Sequence, residues 1–94
     1  MIVIRNSFMA KPGLAGKLAA QLKGMAGAMG GKFRILTDLT GEFNRVVFEL
    51  EAENMAEFEA RLRQYGSDPA IREKSAGYTD LWVTGNREIY QVVE

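Results

Sequence analysis

The stretch "ILTDLTGEFNRVVFELE", residues 35–51, joins two β-like runs through a polar middle that contains Gly41. Successive side chains of a strand point to opposite faces. In the second run Val46, Phe48 and Leu50 therefore share one face, while Arg45, Val47 and Glu49 share the other. Thr40-Gly41 suits a turn between antiparallel neighbours. Two surfaces are woven into one strand: an apolar one fit for a core, and a mixed one that needs a different partner.

The flanking sequence supplies the remaining layers. "MIVIRNSFM" alternates well enough for a first strand over residues 2–9. Leu14, Leu18, Leu22, Met25 and Met29 then recur at helical spacing with lysines between them, and Pro12 stands near the start. After the central hairpin, Asn54 with Glu57 three residues on makes an N-cap pair, and Met55, Phe58, Leu62 and Tyr65 follow at spacings of 3 and 4. Gly66 stops that helix. "SDPAIREKSAGYTDLW" reads as a further helix with Asp68 as cap and Pro69 at its first position, and Gly85-Asn86 reads as a turn into a last strand, "REIYQVVE". No repeat or linker interrupts the chain, so residues 1–94 form one domain. The order of strand, helix, two strands, helix with an extra helical segment, and strand is that of the ferredoxin-like split βαβ unit. It implies a four-stranded antiparallel sheet with the helices on one face.

The other face is left uncovered. With Ile2, Ile4, Phe33, Ile35, Val46, Phe48, Leu50, Ile89 and Val93 toward the helices, it shows Val3, Arg5, Ser7, Arg34, Leu36, Asp38, Arg45, Val47, Glu49, Glu88, Tyr90 and Val92. Such a face is too polar for a monomer core and too apolar to sit comfortably in water.

Bulk composition narrows the chemistry. A chain of 94 residues buries only about two-thirds of the surface its unfolded form exposes, so pairing with a copy of itself is favourable. Cysteine is absent, which removes disulfides and thiol chemistry, and histidine is absent, which removes the commonest transition-metal ligand and the usual general base. The start has no signal-peptide pattern and no run approaches ~20 apolar residues, so a cytoplasmic protein without a membrane partner is expected. Twelve basic and twelve acidic side chains cancel, which argues against a nucleic-acid binder. Residues 1–41 carry six basic and one acidic side chain, and residues 42–94 carry six and eleven. The two halves attract each other, within a subunit or across a dimer.

The N-terminal "IVIR", the "KPGLAGKLAAQLK" helix, the "RILTDLTGEFNRVVFELE" hairpin, the "MAEFEARL" helix and the "WVTGNREIYQVVE" ending together resemble the small NIPSNAP-like proteins of the dimeric α/β-barrel superfamily. The resemblance covers nearly the whole chain and implies that the uncovered sheet faces of two subunits pack as a barrel, giving a homodimer with a semi-polar interior. The superfamily includes antibiotic-biosynthesis monooxygenases, haem degraders and isomerases. The haem degraders rely on a histidine that this chain lacks, and no other catalytic motif can be matched residue by residue.

Arg5, Arg34 and Arg45, with Glu49 and Tyr90 nearby, are the candidate ligand-binding residues, because guanidinium groups grip carboxylates in bidentate fashion and a tyrosine can donate to a bound oxygen. On this reading the chain binds a small organic or anionic ligand in a semi-polar cavity on the uncovered face, with no cofactor and no metal. The competing reading is that these charges pair with one another or across the dimer, fixing register at little net stability. A cofactor-independent monooxygenase or isomerase and a purely structural dimer are the alternatives. Trp82, Tyr78 and Tyr65 read as core beneath the extra helix, and Met25, Met29 and Met55 as adaptable packing near a helix surface, with the wall of an apolar ligand pocket as the alternative. "AGAMGGKF" has glycines and Lys32 but lacks the Ser or Thr of a phosphate loop, so it reads as a frayed helix end with a glycine cap. Glu51, Glu53, Glu57 and Glu59 read as a solvated patch that favours a helix N-terminus.

Overall fold

A computed structural model describes residues 1–94. The elements are β1 (Ile2–Ala10), α1 (Ala15–Met29), β2 (Phe33–Thr37), β3 (Arg45–Ala52), α2 (Met55–Ser67), α3 (Pro69–Ser75), a 3-10 turn (Tyr78–Leu81) and β4 (Trp82–Gln91). All pairings are antiparallel and the strand order is β2-β3-β1-β4, which is the ferredoxin-like split βαβ arrangement. No helix is long and apolar enough to cross a membrane.

The barrel expected from the resemblance is corrected. β2 pairs only with β3 and β4 only with β1, so the sheet is open and both end strands keep a free edge. Small closed barrels use about eight tilted, staggered strands, and four in a row do not meet edge to edge. The alternation along a strand specifies which face is apolar and carries no signal for closure.

Local chemistry accounts for the element ends. The Asn54 side chain accepts from the Glu57 backbone N–H at 2.9 Å, and the Glu57 carboxylate accepts from the Glu53 N–H at 2.8 Å, a reciprocal lock on the start of α2. Asp68 caps α3 through the N–H groups of Ala70 and Ile71, with Pro69 at the first helical position. Gly30, at a φ of 76°, ends α1 and donates its N–H to the Ala26 carbonyl, so the glycines before β2 are a helix stop.

Two expected element boundaries fail here. The last helical segment is not continuous, because Gly77 adopts a left-handed φ of 78° that ends α3's run and starts the 3-10 turn. Gly85-Asn86 is not a turn, because β4 begins at Trp82, runs straight through both residues and ends before Val92. Phe8 pairs with Gly85 across β1 and β4. Its ring lies 3.3 Å from where a Gly85 Cβ would stand. An aromatic ring laid over a strand glycine restores the contacts the missing side chain would have made.

The core between sheet and helices is divided. One buried cluster gathers Leu18, Leu22, Met25 and Ala26 of α1 with Val46, Phe48, Ala10 and Leu81. The second holds Ile2, Ile4, Ala52 and Phe58, and Leu50 packs against both. Phe58 is the one buried residue of α2. Leu62, which the helical spacing assigned to the core, is 38% exposed, and Tyr65 is half-buried.

Candidate functional site

The register lines up one charged residue from each strand on the uncovered face: Arg34 opposite Glu49, Glu49 opposite Arg5, and Arg5 opposite Glu88. Glu49 is the centre of this row. Its carboxylate accepts from Arg5 Nε at 3.0 Å and from Arg34 Nε and Nη2 at 2.9 and 2.6 Å, and the residue is buried although no helix covers it. Burial pushes the Glu49 carboxyl up, but the Arg34 and Arg5 guanidiniums outweigh it and hold the group below its ordinary 4.5. Tyr90 donates to Glu88, which raises the phenol above its ordinary value, and the Arg5 guanidinium sits 5.5 Å from the Tyr90 ring centroid.

Four of the five candidate residues are thus brought together. Arg5, Arg34, Glu49 and Tyr90 form one group with Glu88. Arg45 stands apart at the hairpin end, bound to Glu42, with its backbone N–H on the Asp38 carboxylate at 3.1 Å. Every arginine in the set is therefore held by a carboxylate of the same chain. Two of these pairs join the basic first part of the sequence to the acidic second part.

Because the Glu49 pKa is depressed, its ion pairs stabilise the fold in full above pH 4.5 and lose that contribution as the pH falls through the lowered value. Both guanidiniums are partly in water, with side-chain exposures of 41% and 66%, so screening discounts the interaction. Glu49→Gln is expected to cost about 1–2 kcal/mol at neutral pH. Thermal unfolding at pH 7 and pH 3 checks this, with the gap from wild type narrowing in acid; a constant gap would contradict it.

The largest cavity lies on the opposite face, between the sheet and the helices. It has a volume of about 380 Å³, and eleven of its fifteen lining residues are hydrophobic. It opens where the two core clusters fail to meet. Leu22, Met25 and Met29 of α1 form one wall, Phe58, Leu62 and Tyr65 of α2 another, and the floor is Asn6, Phe8, Phe48, Leu50, Gly85 and Arg87. Phe8, Tyr78 and Trp82 close one end as a mutually packed aromatic group, with ring centroids 5.3–6.4 Å apart. The Trp82 indole N–H is buried without a hydrogen-bond partner. An unmet buried donor costs about 1–3 kcal/mol.

Arg87 is the cavity's one charged residue. Its Nε donates to Asn6 Oδ1 at 2.7 Å, and its guanidinium lies 5.5 Å from the Phe58 ring centroid. Periodicity puts Tyr65, Tyr78 and Trp82 in the core and gives Asn6 and Arg87 no role. The signal available was the run of aromatics and methionines on helix faces, which periodicity alone cannot tell from core. No group of three or more carboxylates converges in a way that could hold a metal ion. Glu57 is engaged by the Glu53 N–H and by Arg61.

No protein-family model matches the chain, and no curated protein matches it. Solved structures do. An uncharacterised NIPSNAP domain protein from Burkholderia xenovorans superposes with a TM-score of 0.86 at 13% identity, over 99% of this chain and 95% of that one. A NIPSNAP family protein from Agrobacterium tumefaciens gives 0.86 at 11% identity, over 99% and 93%. A putative antibiotic biosynthesis monooxygenase from Chloroflexus aurantiacus gives 0.77 at 18% identity, over 99% and 93%. Identities this low carry the architecture and not the chemistry, and in its fold the chain is NIPSNAP-like from end to end.

Proposed function

We propose that this chain is a small-ligand-binding protein that acts as a homodimer. The ligand occupies the cavity beneath the helices, and the second copy sits on the uncovered sheet face. The observation that carries the first part is a cavity of about 380 Å³ in a chain of only 94 residues, lined by apolar groups with a few polar ones at its wall. Sites of ~300–1,000 Å³ with that lining are the usual form of small-molecule pockets. Leu62 and Tyr65 sharpen the point, since they occupy core-facing positions of α2 yet line space instead of filling it.

The dimer rests on the other face. Val3, Leu36, Val47 and Tyr90 give it apolar area, and Arg34, Glu49, Arg5 and Glu88 sum to zero charge. A neutral, internally paired row is removed from water at far lower cost than a set of unmatched charges. Arg5, Arg34, Arg45, Glu49 and Tyr90 then serve the subunit interface, and the ligand residues are those of the cavity.

The sole tryptophan, Trp82, stands in the cavity wall and reports on it directly. Titration with the neutral fluorophore N-phenyl-1-naphthylamine is expected to quench Trp82 emission saturably at one site per chain. Absence of a saturable change would overturn the ligand-binding reading.

A further inference from the structure

Resting on the cavity as the ligand site, we propose that its ligand is an amphipathic anion: an apolar body lying among the aromatic and methionine side chains, with one carboxylate or similar acidic group docked on Arg87. The charge balance of the lining points to this. Arg87 is the one ionisable group of definite charge among the fifteen lining residues, and none of them is acidic. Arg5, Arg34, Arg45 and Arg61 are each tied to a carboxylate, whereas Arg87 makes no such ion pair. Arg87 is exposed beside the apolar lining, so its charge is reachable by an arriving anion and draws it by steering that added salt screens.

Its geometry suits the task. Asn6 takes the Nε hydrogen, and the guanidinium carbon lies 5.5 Å from the Phe58 ring centroid. The two terminal nitrogens have no protein acceptor, which leaves their hydrogens for a paired grip on a planar acid. Because Nε is already bonded to Asn6, less side-chain freedom is lost when the anion arrives. Asn6 and Arg87 face each other across β1 and β4, so the strand register itself places this pair.

The test uses two fluorophores of similar apolar body. 8-Anilino-1-naphthalenesulfonate carries one negative charge and N-phenyl-1-naphthylamine carries none, and each is titrated against the full chain with energy transfer from Trp82 as the readout. Arg87→Gln is expected to weaken the sulfonate about tenfold or more while leaving the neutral probe within about threefold. Arg87→Lys, which keeps the charge without the fork, is expected to recover part of the lost affinity. Wild-type affinity for the sulfonate alone should fall with added salt. If Arg87→Gln leaves sulfonate binding unchanged, weakens both probes equally, or is not relieved by lysine, the anionic ligand is overturned while the cavity stands as a binding site. If neither probe binds the wild-type chain, the site reading itself fails.

Discussion

Val47→Glu is expected to turn an assembly of twice the 10.4 kDa chain mass into single chains, as measured by light scattering at micromolar concentration. Val47 lies opposite Ser7 of β1 and Leu36 of β2, in the middle of the uncovered face, two residues from Glu49 on the same side of β3. In a lone chain the new carboxylate stays in water, where surface substitutions change stability little. In a dimer built on this face it is buried without a cation, because Arg5 and Arg34 are already shared by Glu49. An uncompensated buried charge costs about 3–5 kcal/mol, which weakens association by on the order of a hundredfold or more. Leu39→Glu is the control, since Leu39 sits at the hairpin tip with 98% exposure and its substitution should leave the mass unchanged. Equal masses for Val47→Glu and wild type would remove the uncovered face from the interface.

Gly85→Leu is expected to weaken probe binding by on the order of a hundredfold while the chain stays folded. The glycine lies in the cavity floor on β4, and a Cβ there would meet Phe8 at 3.3 Å, tighter than ordinary contact, and touch Trp82 at 3.4 Å. A longer side chain fills the space between these rings and the helices. Displacing ~100 Å² of ligand contact at ~25 cal/mol/Å² lowers affinity by on the order of a hundredfold. Stability should change much less, because a strand position gains from a real side chain what it loses to crowding of the rings. Urea unfolding measures the second half of this expectation and N-phenyl-1-naphthylamine titration the first. Unaltered binding would place the ligand elsewhere.

Much of the fold was legible because period and capping chemistry are local. The two faces of β3, the buried stripe Leu18, Leu22 and Met25, the Asn54 cap and the Asp68-Pro69 start can each be read within a few residues, and each stands where the spacing put it. Gly85-Asn86 misled because its turn signal is local while its answer is not. Phe8, 77 positions earlier, covers the glycine and keeps the strand running. The barrel came from the resemblance and not from any residue pattern, and the open order β2-β3-β1-β4 does not contain it.

The candidate site was legible in part for the same reason. Arg5, Arg34 and Glu49 could be assigned to one face by alternation, though not to one carboxylate. Of the cavity, only a wall was legible, as the alternative reading of Met25 and Met29, because helical spacing shows that Leu62 and Tyr65 face inward and says nothing about whether anything meets them there. Alternation puts Arg87 on the helix-facing side with Ile89, but a charge at the first position of a predicted strand carries no signal that a cavity lies beside it.

The five methionines allow the two faces to be told apart in one experiment. Met25 and Met29 line the cavity, whereas Met9 pairs with Arg45 at the far end of the uncovered face. Methyl NMR spectra of methionine-labelled protein, recorded during titration with N-phenyl-1-naphthylamine, should show Met25 and Met29 shifting together to saturation while Met9 stays in place. A shift of Met9 with Met25 and Met29 unmoved would put the ligand on the uncovered sheet face and contradict the division of labour between the two sides of the sheet.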